Sequence, residues 1–455
     1  MIKLKLFTIV LVSLCVGCVS APKLDSSWQG RFSGIDAFKK NQRILILAPH
    51  PDDESIACAG IIQKALRAGA WVKIVYLTNG DHNEFAFIVY EKRLTMRQGE
   101  FIYLGGIRQK ESIKAMNFLG LAEKDLVFLG YPDYGTFNIF CKYWLTASEV
   151  APKPFRDRLT RISSVPYKKS PSYGAKYYGE NILADLTKQV LEYQPDKIFV
   201  SHPADVNVDH KTLYLFLQVV LSDLEARLIK PEIYTYLVHC AGWPKPRHYH
   251  PELELCPPDK FIGSDFNWLC SGLSPQELDK KYQSILYYKS QTQSSAFYLF
   301  SFARKNELFS DCPELRLTTQ STLEDKNKTG TVIKDQGSAS YTVEDNYLIL
   351  RLNKPKKFNG RFGVMWYIFG YSKSTLFAQM PKVCIITRGN KVKVFSSKER
   401  VINSGVLLNF EKDLFILKIP LKFLGQPDYT LMALKAYHGN LPIDAMAFRK
   451  VKISQ

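Results

Sequence analysis

The sequence predicts an α/β protein with a Rossmann-like doubly wound parallel sheet, followed by a C-terminal antiparallel β-sandwich. Three observations predict this class. Continuous apolar runs in the first part of the chain are typical of strands buried on both faces. Segments with the apolar spacing of a helix alternate with those runs, as in βαβ units. From about residue 330, short and closely spaced runs alternate apolar with basic residues, which is typical of an antiparallel sandwich.

The first predicted βαβ unit spans about 35 residues. The apolar run at 43–49 (RILILAP) predicts a buried strand, residues 55–68 have helical spacing, and residues 71–77 (WVKIVYL) predict a second buried strand. Two strands joined by a helix run parallel. The same alternation predicts further helices at 108–119, 181–193 and 210–228, and further strands at 126–129, 197–202 and 232–239.

Residues 134–178 interrupt this alternation. The segment is rich in tyrosine, phenylalanine, lysine and proline and has no clear periodicity. A long insertion in a compact domain is often a lid or a binding loop, and a surface excursion without a chemical role is the alternative.

The C-terminal part of the chain is predicted as a separate domain. We place a linker at 311–332, where the polar run DKNKTG occurs, and a β-sandwich accessory domain at 333–455. The chain of 455 residues has a net charge of +18, and residues 311–455 carry 23 lysines and arginines against 12 aspartates and glutamates. This excess makes an anionic partner a hypothesis for the accessory domain. The composition of 46% apolar and 23% charged residues excludes wholesale disorder and fibrous architecture.

The N-terminus has the pattern of an export signal. Residues 1–18 place two lysines before a short apolar run and end in Gly17-Cys18. This ending resembles the lipobox of bacterial lipoproteins, although Cys15 stands where leucine is usual. The interpretation is a signal peptide with Cys18 as the lipidation site, a tether at 19–41, and a membrane-anchored lipoprotein of the bacterial cell envelope, facing the periplasm or the cell surface. An ordinary cleaved signal or an uncleaved anchor is the alternative.

Seven cysteines remain beyond Cys18, and their spacing suggests no disulfide framework. Core thiols are therefore the expected state for most of them. Cys256 and Cys270, which flank a loop, are the one pair that we consider for a disulfide.

Three polar segments lie at the ends of predicted strands. Residues 49–54 (PHPDDE) follow the first strand, residues 205–210 (DVNVDH) follow the strand at 197–202, and His239 ends another strand. The carboxyl ends of parallel strands meet at one edge of a sheet, where ligands bind. Two histidines and one aspartate, with water in the fourth position, form an open catalytic zinc site, and further carboxylates can supply a base. The alternative for Asp52 is a helix cap.

Two of these segments resemble the PIG-L/LmbE family of zinc-dependent N-deacetylases. Residues 43–54 are similar to the family's strand and AHPDDE motif, with Pro49 in place of the alanine. Residues 205–210 fit its D-x-H-x-D-H motif except at Asn207.

Further motifs follow in the family's order. The matching segments are 108–120 (R-x-x-E-x-x-x-A-x-x-x-L-G), 129–133 (L-G-x-x-D), 287–291 (YYKSQ) and 302–309 (FARKNELF). The resemblance therefore covers about residues 42–310 and implies an LmbE-like deacetylase domain there.

The resemblance implies a role for each matching position. One Zn²⁺ ion per chain, or another divalent metal, would be bound by His50, Asp53 and His210. Asp52 would be the general base. Arg108 and Asp133 would line the substrate pocket, and Glu54 and Asp209 would lie behind the ligands.

Asn207 departs from the family pattern, which has at this position a histidine that stabilises the oxyanion or donates a proton. Asparagine can donate a hydrogen bond to an oxyanion but cannot act as a general acid near pH 7. Two hypotheses about the proton donor follow, and in both of them Asn207 is counted among the catalytic residues. Either Asp52 serves as base and then as acid, or His239 supplies the missing imidazole.

The family's substrates imply an N-acetylated sugar or glycan of the N-acetylglucosamine type, in this case in the cell envelope. The insertion begins with a group of aromatic residues that could stack on sugar rings if they cluster: Tyr134, Phe137, Phe140, Tyr143 and Trp144. The alternative is that they form a small hydrophobic core within the insertion. The expected partners are this substrate and the membrane through the lipid anchor. An anionic envelope polymer is a further hypothesis for the basic C-terminal domain, and a solvated basic face on a structural domain is the favoured alternative. Nucleic acid is not expected, because no nucleic-acid motif occurs. A glycan-binding protein on a degenerate deacetylase scaffold is the rival function.

Overall fold

The computed structural model describes residues 32–83, 88–90, 97–145, 152–228, 230–318, 322–325, 339–353, 362–389, 391–411 and 414–454. The predicted signal at 1–18, the predicted lipidation site Cys18 and part of the predicted linker lie outside these residues. None of the helices in the described ranges combines the length and apolarity needed to cross a bilayer.

The first domain is built on one eight-stranded sheet in the order β1-β7-β8-β6-β5-β2-β3-β4. Its five strands from β6 to β4 pair in parallel, and β8 is antiparallel to both β6 and β7. The strands are β1 (Ser33–Gly34), β2 (Arg43–Ala48), β3 (Trp71–Thr78), β4 (Leu126–Tyr131), β5 (Lys197–Ser201), β6 (Glu232–Tyr236), β7 (Trp268–Gly272) and β8 (Asn306–Ser310). The predicted α/β class is confirmed, and the sheet is mixed at one edge rather than parallel throughout.

The first domain also contains seven helices whose bounds the structure gives. They are α1 (Asp53–Arg67), α2 (Gln98–Leu119), α3 (Thr136–Lys142), α4 (Gly179–Tyr193), α5 (Val208–Asp223), α6 (Pro275–Leu286) and α7 (Lys289–Leu299). Helix α2 begins ten residues before its predicted start. Gly105 lies in this extra part because a Cβ atom there would come within 2.1 Å of the Tyr167 hydroxyl, so the glycine lets the insertion pack against the helix.

The predicted tether at 19–41 is partly structured. Strand β1 pairs in parallel with β7, and Phe32, Ile35 and Phe38 pack against the hydrophobic core. Residues 32–38 thus belong to the first domain.

The second domain is a sandwich of two sheets. One sheet has the order β10-β11-β12-β18-β17, and the other has the order β16-β15-β14-β13-β19-β21-β9, with β20 paired to β19. Only β21 and β9 pair in parallel among the described strands of this domain. The strands are β9 (Leu315–Thr318), β10 (Thr322–Asp325), β11 (Ala339–Glu344), β12 (Tyr347–Asn353), β13 (Phe362–Tyr371), β14 (Lys382–Arg388), β15 (Lys391–Ser396), β16 (Glu399–Val401), β17 (Leu407–Glu411), β18 (Leu414–Pro420), β19 (Tyr429–His438), β20 (Leu441–Ala445) and β21 (Arg449–Ser454). Strand β9 lies within the predicted linker.

Strand β13 of the larger sheet of the sandwich is buried on both faces. Along β13, Val364, Trp366 and Ile368 point into the sandwich core, and Phe369 and Tyr371 belong to the core of the first domain. Successive side chains of a strand point to opposite faces, so one strand serves both cores. The two domains therefore share a continuous apolar interface, which we call the aromatic seam: Phe140, Trp144, Phe216, Phe369 and Phe377.

The aromatic residues of the insertion form part of this seam. The Phe140 ring contacts Phe369 edge-on at 5.1 Å between centroids, and the Trp144 ring contacts Phe377 at 5.2 Å. Phe137 likewise packs edge-on against Tyr367 at 5.2 Å. The hypothesis that these three rings stack on sugars is therefore wrong, because they are used to join the domains.

Replacing Phe140 with alanine is expected to lower the free energy of unfolding by about 3–5 kcal/mol, because it removes a fully buried ring from the seam. Chemical denaturation would measure the loss. The control is Phe297→Ala, whose ring is 49% exposed and whose loss should cost far less. A wild-type protein that unfolds its two domains in separate transitions would contradict a shared core.

The cysteines of the described residues are unbonded. Cys256 and Cys270 are free thiols, as are Cys58, Cys141, Cys240, Cys312 and Cys384. Cys58, Cys141 and Cys240 are buried, as expected of core thiols, whereas the other four are half-buried. The pair that we considered for a disulfide is not joined.

Candidate metal centre

The predicted polar segments meet at the carboxyl edge of the parallel strands. His50 and Asp53 follow β2, His210 lies in the first turn of α5 after β5, and His239 follows β6. One ligand atom from each of these four residues lies within 4.8 Å of the others. Apolar strands fix the positions of the loops, and the polar side chains converge because all of these strands end at the same edge.

Three of these side chains form a triangle of ligand atoms. The distance from His50 Nδ1 to Asp53 Oδ2 is 3.4 Å, from His210 Nε2 to Asp53 Oδ2 3.2 Å, and from His210 Nε2 to His50 Nδ1 3.3 Å. Ligands bound about 2.0–2.1 Å from a tetrahedral zinc ion lie about 3.3 Å from one another. The triangle therefore fits a zinc-sized ion with an open fourth position.

Carboxylates on the far side of each imidazole hold the rings in place. His50 Nε2 lies 3.0 Å from Asp133 Oδ1 and 3.4 Å from Asp209 Oδ2, and His210 Nδ1 lies 3.1 Å from Asp205 Oδ2. A carboxylate behind a metal-binding histidine fixes the tautomer and raises the basicity of the ligand nitrogen. Asp209 thus contacts the His50 nitrogen that faces away from the triangle. The contact of Asp205 with His210 was not predicted, although Asp205 stands in the same short segment.

The same carboxylates favour positive charge at the site. Burial lowers the pKa of His210, but Asp205 and Asp53 outweigh it and raise that pKa to about 9. Burial also lowers the pKa of His50, but the surrounding carboxylates, above all Asp133, raise this pKa by a larger amount. Protons and a metal ion therefore compete for these nitrogens.

Asp52 is held apart from the triangle in a strained backbone conformation. Its φ of 120° is rare for a residue other than glycine, and strain of this kind is found at functional sites. Its side chain makes no capping hydrogen bond to α1; instead Oδ2 accepts a hydrogen bond from Arg108 Nη2 at 3.1 Å. Burial raises the pKa of Asp52 to about 7, against the lowering effect of Arg108. This carboxyl group can thus both take and return a proton near neutral pH.

Arg108 supports the loops around Asp52. Its guanidinium donates hydrogen bonds to the carbonyl oxygens of Gly80 at 2.8 Å and Pro51 at 2.7 Å. Gly80 has a φ of +64°, and a Cβ atom there would lie 2.0 Å from Arg108 Nη1. The chain therefore requires glycine at this turn. Arg108 lines the cavity, its predicted role in substrate binding stays a prediction, and its hydrogen bonds position Asp52.

Glu54 stabilises the backbone of Asp52 through a hydrogen bond. Its carboxylate accepts a hydrogen bond from the Asp52 backbone N–H at 3.0 Å and from the Ser112 hydroxyl at 3.1 Å, and the Tyr288 hydroxyl also donates to it. Burial raises the pKa of Glu54 to about 7. Glu54 lies behind the ligands, as expected from its place in the motif.

Asn207 and His239 take different positions at the rim of the triangle. Asn207 caps α5, because its side-chain oxygen accepts the Asp209 backbone N–H at 2.8 Å, and this leaves its amide N–H groups for a ligand. The His239 ring lies edge-on to the His210 ring at 4.7 Å, and its Nδ1 is 3.4 Å from the Tyr298 hydroxyl. Burial lowers the pKa of His239 to about 4, so the ring is neutral at pH 7.

These residues open into a cavity of about 280 Å³. Its lining also includes Tyr134, which the sequence analysis offered as a ring that could stack on sugars. The other lining residues include His82, Asn83, Gln291 and Tyr298, which the sequence did not single out as pocket residues.

Comparison with known families agrees with this geometry. Residues 45–220 match the sequence model of the family described as "PIG-L: GlcNAc-PI de-N-acetylase". These residues form a PIG-L domain. The matched segment contains the triangle, Asp52, Arg108, Asp133 and Asn207, whereas His239 lies beyond its end.

A curated relative of this PIG-L domain is a "Probable N-acetyl-alpha-D-glucosaminyl L-malate deacetylase 2" from Bacillus anthracis. The two are 38% identical over 95 residues, which are 21% of this chain and 38% of the relative. The match thus spans well under half of the relative's length.

Two solved structures resemble the PIG-L domain more distantly. The conserved protein TT1542 from Thermus thermophilus is 17% identical with a TM-score of 0.35, over 59% of this chain and 93% of that chain. The N,N'-diacetylchitobiose deacetylase from Pyrococcus horikoshii is 18% identical with a TM-score of 0.34, over 59% of this chain and 82% of that chain. With TM-scores below 0.5, neither likeness bears on the assignment of function.

Proposed function

We propose that the protein is a zinc-dependent N-deacetylase that removes the acetyl group from N-acetylated amino sugars of the N-acetylglucosamine type. The observation that carries this proposal is the ligand triangle of His50, Asp53 and His210 beside the buried carboxyl group of Asp52, within a PIG-L domain. The name of the Bacillus anthracis relative supports the substrate class.

The residues of the site account for hydrolysis of an amide. A bound zinc ion supplies an acidified water and polarises the amide carbonyl. Asp52 takes a proton from the attacking water and returns it to the nitrogen as the C–N bond breaks, which gives acetate and a free amine. Arg108 holds Asp52 in place, and the free amide N–H groups of Asn207 can donate a hydrogen bond to the developing oxyanion.

We also propose that the protein is exported to the bacterial cell envelope and anchored to the membrane through lipid on Cys18. The signal-like pattern of residues 1–18 supports this location, and the basic excess of residues 311–455 supports contact with an anionic envelope polymer.

A panel of N-acetylated sugars tests the activity. Purified protein loaded with zinc is expected to release acetate from at least one N-acetylglucosamine derivative, and the released acetate is measured directly. Asp53→Asn, which removes one ligand charge from the triangle, is the matched inactive control. Binding of the sugars without release of acetate by the wild-type protein would instead favour the rival function, a glycan-binding protein on a deacetylase scaffold.

A further inference from the structure

One wall of the cavity is built by a contact between the turn after β3 and the insertion. His82 follows the Gly80 turn, and its backbone N–H donates a hydrogen bond to Asp133 Oδ2 at 3.0 Å. Its ring Nε2 lies 2.7 Å from Oδ1 of Asp157, a residue of the insertion. The ion pair joins segments that are distant in sequence and leaves Nδ1 as the ring nitrogen that can face a ligand.

Asp157 is itself fixed in position. It is buried, and its Oδ2 accepts hydrogen bonds from the Thr160 backbone N–H at 2.6 Å and from the Thr160 hydroxyl at 2.7 Å. Asp157 Oδ1 is thereby directed at His82. Burial lowers the pKa of His82, but Asp157 and Asp133 raise it to about 9, with Asp81 adding to the effect, so the ring is a charged donor at neutral pH.

The exposed ring of Tyr134 lies beside the His82 ring. Its ring stacks on the His82 ring at 6.3 Å between centroids and 18° between planes, yet 54% of the residue is exposed. Its backbone has a φ of 56°, and its N–H donates to Asp209 Oδ2 at 2.6 Å. Tyr134 thus lines the polar cavity with an exposed ring held by a left-handed backbone conformation, and both features are found at ligand sites.

We propose that Tyr134, His82 and Asp157 form a sugar-binding subsite, in which Tyr134 packs on the apolar face of a pyranose ring and His82, oriented by Asp157, donates a hydrogen bond to a sugar oxygen. An aromatic platform beside one fixed polar donor suits a pyranose, because the ring has an apolar face and polar edges. The identity of the sugar rests on the proposed function, since the subsite shares its cavity with the metal centre.

The test uses methyl N-acetyl-β-D-glucosaminide as the probe. Tyr134→Asn removes the ring but keeps a residue that tolerates positive φ, and Asp157→Asn keeps the shape of the His82 partner without its charge. Both variants are expected to raise KM, Tyr134→Asn by about 10-fold or more, with kcat within about 3-fold of wild type. The kcat/KM for the acyclic amide N-acetylethanolamine should not change. The control is Tyr173→Asn, from the same insertion and with 56% of the residue exposed.

Binding is measured separately from acetate release, by saturation-transfer difference NMR on the zinc-loaded protein. Ring-proton signals of the probe should be present for wild type and Tyr173→Asn and reduced for Tyr134→Asn and His82→Gln, with metal content and melting temperature unchanged in each. Wild-type protein that binds the probe but releases no acetate from any sugar would overturn the proposed function and leave the subsite standing. Absence of binding by wild type, or unchanged binding by Tyr134→Asn, would overturn the subsite.

Discussion

Replacing Asp52 with asparagine is expected to lower kcat for acetate release by about 10³-fold or more, with little change in metal content. The carboxyl group is a buried proton acceptor that lies beside the triangle without being part of it, and loss of a general base costs about 10²–10⁴-fold. Asparagine keeps the shape of the side chain and can still contact Arg108. The measurement is single-turnover acetate release, with zinc content determined on the same samples. An active Asp52→Asn enzyme would contradict the assignment.

The pH dependence of the wild-type enzyme follows from the same residue. Burial raises the pKa of Asp52 to about 7, and only the ionised form can accept a proton. The rate should therefore be low below pH 7 and rise as the pH increases through that value. In Asp52→Asn this rise should disappear from the residual rate.

His239 is the alternative to Asp52 as the donor of a proton to the departing amine. Because its ring is neutral at pH 7, we expect it to contribute a hydrogen bond rather than an acid, and His239→Ala should be clearly less damaging than Asp52→Asn. An equal loss, with zinc content preserved, would favour His239 as the donor to the departing amine.

The second large effect is expected for His210→Ala, which should lose both the bound metal and the activity. The variant removes one corner of the triangle and leaves Asp53 and His50 as a two-residue site, which holds an ion weakly. Zinc per chain after dialysis is the measurement. The control is His250→Ala, a loop histidine paired with Glu252, which should keep its metal and its rate.

The contradicting result is a His210→Ala protein that retains one zinc ion per chain. In that case the second group, in which His50, Asp133 and Asp209 converge, would be the metal site. Removing the ion from the wild-type protein with a chelator should likewise abolish acetate release, and added zinc should restore it.

Strands that are buried on both faces were predictable from the sequence, because continuous apolar runs have few other uses. Strands β2, β3 and β5 lie where those runs predicted them. The antiparallel strand β8 and the two-residue strand β1 were not predictable, because their partners are distant in sequence and short strands have little periodicity. The start of α2 was missed because Gly105 and Gly106 reduce the helical signal.

The convergence of the candidate metal ligands was predictable for a different reason. His50, Asp53 and His210 stand in compact polar motifs directly after buried strands, so a topological rule brings them together. His82, Tyr134 and Asp157 have no such motif. Their contacts depend on the path of the insertion, which has no periodicity to interpret, and Asp157 resembles any surface aspartate until the fold places it against His82.

The aromatic seam has a consequence for the way in which a long substrate would be handled. A binding module on a flexible tether adds a second attachment whose strength depends on tether length. Here Phe140 and Trp144 pack against the outer face of the larger sheet of the second domain, so that domain and the candidate metal centre keep one spacing. If a polymer contacts the second domain and the candidate metal centre at the same time, deacetylation would favour sugars at a fixed distance from the segment that the second domain binds.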